Sequence, residues 1–225
     1  MKIDKSKKIL IVGLGLLGGS YARALKRFGF PISAITKERS DIDYAIREQI
    51  IDEGSTELDE KMIGEADLVI FALYPHVFVE WIEKNQKLLK KGAIITDVTG
   101  VKVSIVYKIQ EILRDDVEFI AAHPMAGREV SGVENSTDKM FQGANYIVTP
   151  TEKNTPGAIS TCLELGRLLL GSLHDGGSLL LGLSHKCGSL LLGLAHKALG
   201  LLLALRKALR IELLGELLQF LILHF

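Results

Sequence analysis

The chain is predicted to be an α/β protein, with a doubly wound parallel sheet followed by a smaller all-α, Leu-rich C-terminal region. Three observations predict this. Short apolar runs alternate with helix-like patterns from Lys8 to about Pro150, a glycine cluster (GLGLLGGS, Gly13 to Ser20) closes the first apolar run, and leucine takes over the composition beyond Pro156.

The elements follow in order. KILIV (8–12) reads as a strand, with a helix from about Leu16 to Phe28 behind it. PISAI (31–35) and a helix near Ile42 to Gln49 come next, then LVIFAL (68–73) and a helix from about Val77 to Leu89. AIITDV (93–98) leads to a helix over Val103 to Leu113, and VEFIAA (117–122) and ANYIVTP (144–150) complete the β-like runs before the linker TEKNTPG. Strands separated by helices require parallel βαβ units with right-handed crossovers. The runs at 68 and 93 carry little polar alternation, which suits central strands covered on both faces. Residues 1–155 are therefore expected to form a dinucleotide-binding domain and 156–225 a helical region.

That second region has low complexity. It holds 26 leucines among residues 161–225 and an 11-residue near-repeat: GRLLLGSLHDG (166–176), GSLLLGLSHKC (177–187) and GSLLLGLAHKA (188–198). Eleven residues make about three helical turns, so His174, His185 and His196 would share one face of a continuous helix. Glycine every five or six residues weakens such a helix by roughly 1 kcal/mol each relative to alanine. A membrane span is not expected, because Lys, His or Arg interrupts every apolar run before the 18 or so residues needed. Packed or partly molten helices are the main reading; a membrane-surface or oligomer-forming role and a three-His metal stripe are lesser ones, and no metal is expected. So much leucine on a short region would expose apolar patches unless covered, which points to a homodimer.

Lys+Arg and Asp+Glu balance at 27 each, so no strong field attracts nucleic acid or an anionic membrane. Small-molecule partners are expected instead. Cys162 and Cys187 lack Cys-x-x-Cys spacing and the N-terminus runs directly into a strand, which suits the cytoplasm.

Gly13, Gly15 and Gly18 form G-x-G-x-x-G at a strand-to-helix junction. The first allows the tight turn, the second lets backbone approach a pyrophosphate, and the third permits close helix packing. This is the fingerprint of a Rossmann-type fold, with Leu16 and Leu17 opening the helix that faces the phosphates and Leu73 ending a neighbouring strand. The second strand ends in Thr36, Lys37, Glu38 and Arg39 instead of a carboxylate at the expected position. Thr36, Lys37 and Arg39 suit a 2′-phosphate, so NADP is favoured over NAD; Glu38 acting on the ribose would reverse that preference.

His123, at the exit of VEFIAA and before Pro124 and Gly127, stands where an open α/β sheet presents catalytic groups. Thr96, Asp97, Thr99 and Lys102 follow another strand and are expected at the same crevice, Asp97 equally as a turn or capping residue. Arg128 could hold a substrate carboxylate, or pair at the surface. His76 and His224 are not expected to be catalytic.

With these residues in hand, the chain resembles the prephenate dehydrogenases of tyrosine biosynthesis: ILIVGLGLLGGSYARAL, IIDEGST (50–56), ITDVTGVK (95–102), FIAAHPMAGREVSGVE (119–134) and YIVTP (146–150) match in order. The resemblance implies oxidative decarboxylation of prephenate or arogenate with NAD or NADP. It makes His123 the group that accepts a hydrogen bond from the ring hydroxyl. Where many members carry serine in G-S-V-K this chain has Thr99-Gly100-Val101-Lys102, so Thr99 is the remaining hydroxyl and a second catalytic candidate. The family's C-terminal S-H-x-P-H segment and its carboxylate-binding arginine have no counterpart here. The rival reading is a dinucleotide-binding module without turnover, or a different small-molecule dehydrogenase on the same fold.

Overall fold

The computed structural model describes residues 3–100, 103–171 and 178–181. Its first strand, β1 (Ile9–Val12), is wholly buried and is followed by α1 (Leu16–Lys26), β2 (Ile32–Ile35) and α2 (Arg39–Arg47). Then come β3 (Glu53–Ser55), α3 (Glu60–Glu65), β4 (Leu68–Phe71), α4 (Pro75–Asn85) and β5 (Ile94–Asp97). A short 3-10 turn over Gln86–Leu88 follows α4, and α5 (Val103–Ile112) leads to β6 (Glu118–Phe119). These strands form one six-stranded sheet in the order β3-β2-β1-β4-β5-β6, parallel throughout. The order reverses direction between β1 and β4, the switch point where ligands bind in doubly wound sheets.

A second sheet of three strands, ordered β7-β8-β9, takes up the rest: β7 (Ala121–Pro124), β8 (Asn145–Thr149) and β9 (Ser178–Leu181). β7 and β8 are antiparallel, and β8 and β9 parallel. Helix α6 (Pro156–Leu170) starts on Thr155, whose hydroxyl caps Ala158 N, and buries Ala158, Cys162, Leu165, Leu168 and Leu169 in the same core as β1, α1 and β8. The other core, across the parallel sheet, joins β4, β5 and α4 through Phe71, Phe78, Ile82 and Phe119.

Several sequence expectations shift. β3 and α3 are additional to the expected elements. The run 117–122, read as one strand, is two: β6 belongs to the parallel sheet and β7 to the second one. Ser178–Leu181, in the tract expected to be helical, is strand β9, since a short apolar run flanked by glycine pairs as readily with a sheet edge as it coils. A compact unit runs from Met1 to Gly182. The expected helices past it, with His185, His196, His224 and Cys187, lie outside the described residues, as does His174 before β9. Among the described residues, no helix is long and apolar enough to cross a membrane.

Candidate active site

Pairing register sets the carboxyl ends of four strands side by side: Val12 lies opposite both Ile35 and Phe71, and Phe71 opposite Asp97. Every segment that leaves this edge carries candidate residues. Gly13 leaves β1, Thr36 leaves β2, Leu73 follows β4 and Thr99 follows β5.

The glycine turn divides its three positions by physical need. Gly13 adopts φ +96° and a Cβ there would stand 2.5 Å from the Ala72 carbonyl oxygen and 3.0 Å from Leu73 Cδ2. A Cβ on Gly18 would stand 1.9 Å from the Gly13 oxygen, so α1 packs directly on the turn. A Cβ on Gly15 would meet nothing within 4 Å. Gly15 precedes α1, no cap side chain bonds to this end and no acidic residue lies in the first turn, which suits an anionic ligand there. Leu16 and Leu17, half-buried, begin that turn. The arrangement fits a dinucleotide: an open cradle of N–H groups, with glycine where a side chain would fill it.

At the end of β2, Thr36 is half-buried and its amide donates to Ser55 O at 3.2 Å, while Lys37, Glu38 and Arg39 are exposed. Arg39 Nε donates to Asp43 at 2.9 Å within α2. Lys102 lies outside the described residues. His76 is exposed and stacks on Tyr74, ring centres 6.3 Å apart. Thr96 does not reach the crevice: it is fully buried, with its hydroxyl 3.7 Å from Cys162 Sγ of α6.

His123 sits on β7, opposite Ile147, and is half-buried. Its Nδ1 lies 2.9 Å from the Val98 carbonyl oxygen. A carbonyl only accepts, so Nδ1 carries the hydrogen, and Nε2 is left as the nitrogen that gains or loses a proton. The ring faces Gly100, where a Cβ would stand 3.4 Å from both Cε1 and Nε2. The Thr99 hydroxyl donates to Asp97 Oδ2, so toward the crevice it offers lone pairs only. Asp97 is fully buried; Oδ2 also accepts from Thr99 N at 3.2 Å, and Oδ1 from Ala122 N at 3.3 Å. The Val98 carbonyl and Gly100 have no side-chain signature; only their place between Asp97 and Thr99 in ITDVTGVK could have flagged them.

The turn after His123 is tied by Met125 N donating to Asn145 O at 2.7 Å and Ala126 N to Pro124 O at 2.8 Å. Arg128 is exposed and lines a shallow hollow of about 360 Å³ with Lys139, Thr137 and Gln142; none of its lining residues is acidic. Behind β7, burial pushes the Tyr146 and Tyr21 phenols well above 10.0, so both stay protonated and neither serves as a base.

Fold and site together define a nucleotide-binding α/β domain with an imidazole beside the ligand edge. The chain belongs to the prephenate dehydrogenase family: the family's "Prephenate dehydrogenase, nucleotide-binding domain" matches residues 21–169. It is similar to the prephenate dehydrogenase of Lactococcus lactis subsp. cremoris, with 34% identity over 145 residues, 64% of this chain and 41% of that protein. The chain spans about half the length, or less, of the curated relatives it matches. Among solved structures it resembles the prephenate dehydrogenase of Aquifex aeolicus in complex with hydroxyphenyl propionate and NAD+ (TM-score 0.69, 30% identity, 92% of this chain and 71% of that one). It also resembles Synechocystis arogenate dehydrogenase (TM-score 0.68, 28% identity, 95% of this chain and 73% of that one).

Proposed function

We propose that the protein is an NAD(P)-dependent dehydrogenase that converts prephenate to 4-hydroxyphenylpyruvate and carbon dioxide. The observation that carries this reading is His123: its Nδ1 is committed to the Val98 carbonyl and its Nε2 lies beside Gly100, past the end of β5. A bound nicotinamide would supply the acceptor for the hydride of the ring carbon that bears the hydroxyl.

His123 Nε2 accepts the proton of that hydroxyl as the C–H bond breaks, so the oxygen becomes a carbonyl oxygen without passing through a high-energy cation. Loss of the ring carboxylate as carbon dioxide then leaves its electron pair to the ring, which becomes aromatic, and the phenolate oxygen regains the proton held on His123. The proton therefore balances within the site and the hydride leaves on the cofactor. Thr99, its hydroxyl donated to Asp97, is the neighbouring candidate, and Arg128 and Lys139 line a hollow without acids that suits a substrate carrying two carboxylates.

Gly13, Gly15 and Gly18 would hold the pyrophosphate with the amides of Leu16 and Leu17, and Leu73 would border the nicotinamide side. NADP is the preferred form: Thr36, Lys37 and Arg39 outnumber Glu38, and the Arg39–Asp43 pair is exposed, hence weak enough to yield to a phosphate. Arogenate, with an amine in place of the side-chain ketone, is the alternative substrate. We further infer a homodimer, supported by the leucine content of the C-terminal region, and a cytoplasmic location, supported by the lack of Cys-x-x-Cys spacing between Cys162 and Cys187.

The test is NADP and NAD reduction with prephenate or arogenate, followed at the nicotinamide absorbance, for the wild type and His123→Asn. Turnover in the wild type that falls by about 10²- to 10⁴-fold in His123→Asn, with dinucleotide binding retained, supports the reading. Dinucleotide binding with no turnover on either substrate would instead make the chain a binding module.

A further inference from the structure

Asp97 and His123 lie at opposite ends of a single peptide unit. The Val98 carbonyl and the Thr99 amide belong to the same planar trans group, in which C=O and N–H point in opposite directions. The amide end donates to Asp97 Oδ2 at 3.2 Å and the carbonyl end accepts from His123 Nδ1 at 2.9 Å. Turning this peptide would break both bonds at once. The Thr99 hydroxyl, also donated to Oδ2, makes that turn costlier still.

The same carboxylate holds the segment from which His123 projects. Along the β5–β6 ladder the amides of Glu118 and Ile120 donate to the carbonyls of Ala93 and Ile95, at 3.0 Å each. The next amide in the series, that of Ala122, donates to the side-chain Oδ1 of Asp97, at 3.3 Å. The Asp97 side chain thus takes up the amide at which the chain departs from the parallel sheet, and His123 is the following residue. One fully buried carboxylate fixes both the carbonyl that His123 addresses and the strand that carries it.

We propose that Asp97 is a positioning residue for His123: through the Val98–Thr99 peptide it holds the imidazole in the Nδ1–H tautomer, with Nε2 turned to the crevice as the proton acceptor. The proposal rests on the proposed dehydrogenase reading for its kinetic consequence but not for its structural one. Asparagine at this position is nearly isosteric, yet it replaces one acceptor oxygen by an NH2 group that cannot accept from the Ala122 amide or from Thr99. The carboxylate acts through a peptide, not on the ring directly, so the loss is smaller than for a carboxylate in direct contact with a catalytic histidine: about 10- to 100-fold in kcat.

The experiment compares wild type, Asp97→Asn, Thr99→Val and Thr99→Ser in the full chain, with two readouts. The first is the ring ¹⁵N pattern of His123, assigned by its disappearance in His123→Asn, which reports the tautomer without any turnover. The second is the split between kcat and the KM for NAD(P)+. The expected result is a wild-type His123 in the Nδ1–H form, a mixed-tautomer signal in Asp97→Asn with kcat reduced and the NAD(P)+ KM within about twofold, a weaker effect of the same kind in Thr99→Val, and recovery of most of that loss in Thr99→Ser.

A folded Asp97→Asn with the wild-type tautomer signal and wild-type kcat overturns the proposal. If Asp97→Asn does not fold, Thr99→Val decides: an unaltered tautomer signal there overturns it equally. A wild-type chain with no turnover but a tautomer signal that shifts in the variants sinks the dehydrogenase reading and upholds the role of Asp97.

Discussion

Gly15 and Gly18 lie three residues apart in one turn, yet alanine should affect them in opposite ways. At Gly18 the new Cβ would stand 1.9 Å from the Gly13 oxygen and 3.2 Å from Ala72 Cβ. Ordinary contact begins at 3.4 Å, so α1 must retreat by about 1.5 Å from a turn that Gly13, at φ +96°, cannot easily deform. Overpacking of this kind costs about 1–3 kcal/mol, and at roughly 2–4 °C per kcal/mol for a chain of this size Tm falls by about 2–12 °C. At Gly15 the backbone is extended (φ −86°, ψ −154°) and the Cβ meets nothing within 4 Å. Alanine there restricts the unfolded chain and should stabilise the apo protein by about 0.4–1 kcal/mol. The same methyl fills the space in which a pyrophosphate would meet the α1 amides, so NAD(P)+ affinity should drop at least tenfold, about 1.4 kcal/mol. Thermal unfolding with and without NAD(P)+, plus a direct binding titration, separates the two effects. A Gly15→Ala protein that binds dinucleotide as tightly as wild type refutes the assignment of the cradle. A Gly18→Ala protein as stable as wild type refutes the packing argument.

Other outcomes follow from the charged groups. Asp67 accepts from Lys90 Nζ at 2.7 Å, the Lys8 amide at 3.0 Å and Lys7 Nζ at 3.3 Å, tying together the chain at the starts of β1 and β4 and the segment before β5. Burial works against its ionised form, but those donors outweigh it and hold the carboxyl below 3.8. A depressed carboxyl stabilises the fold fully above the unfolded value and loses that contribution as pH falls through the folded one. Asp67→Asn should therefore cost about 1 kcal/mol at pH 7, after allowance for solvent screening, and the gap to wild type in thermal unfolding should close as pH drops below about 3.8. Arg128→Gln should raise the KM for prephenate about three- to tenfold with kcat little changed, because it removes binding alone; a fall in kcat at unchanged KM would contradict this. Lys37→Glu should turn the preference from NADP toward NAD by at least tenfold, read from kcat/KM with each cofactor; an unchanged ratio would place the 2′-position elsewhere.

The elements that sequence resolved well are those whose chemistry is local. β1, β2, β4 and β5 are runs of four residues, buried or nearly so, and Gly18 is required by a contact within its own βα unit, Gly13 by its positive φ. β3 escaped because Glu53–Ser55 is a three-residue edge strand without apolar alternation. Helix α3 has six residues, too few for a period, although Asp59 accepting from Met62 N is an N-cap that the sequence carries in plain view. β9 escaped for the opposite reason. Three leucines within a leucine-rich repeat suit a helix or a strand equally, and pairing with β8 decides between them.

His123 illustrates how a residue can be singled out from an incomplete picture of the strand that carries it. The residue was expected at the carboxyl end of a strand in the parallel sheet, the position from which such sheets serve their ligands. That strand ends four residues earlier, at Phe119, and His123 belongs to an antiparallel pair in another sheet. What ties it to the end of β5 is the Ala122 amide, which donates to the Asp97 side chain two residues after the Ile120 amide has paired with Ile95. An apolar run does not reveal where it changes sheets, because both halves of VEFIAA are buried and each satisfies its backbone with a different neighbour. The carboxylate beside the departure point is the sequence feature that records the change: a buried Asp at the end of β5 needs donors, and an amide leaving its ladder needs an acceptor. Each requirement satisfies the other, and the histidine that follows is placed by that exchange.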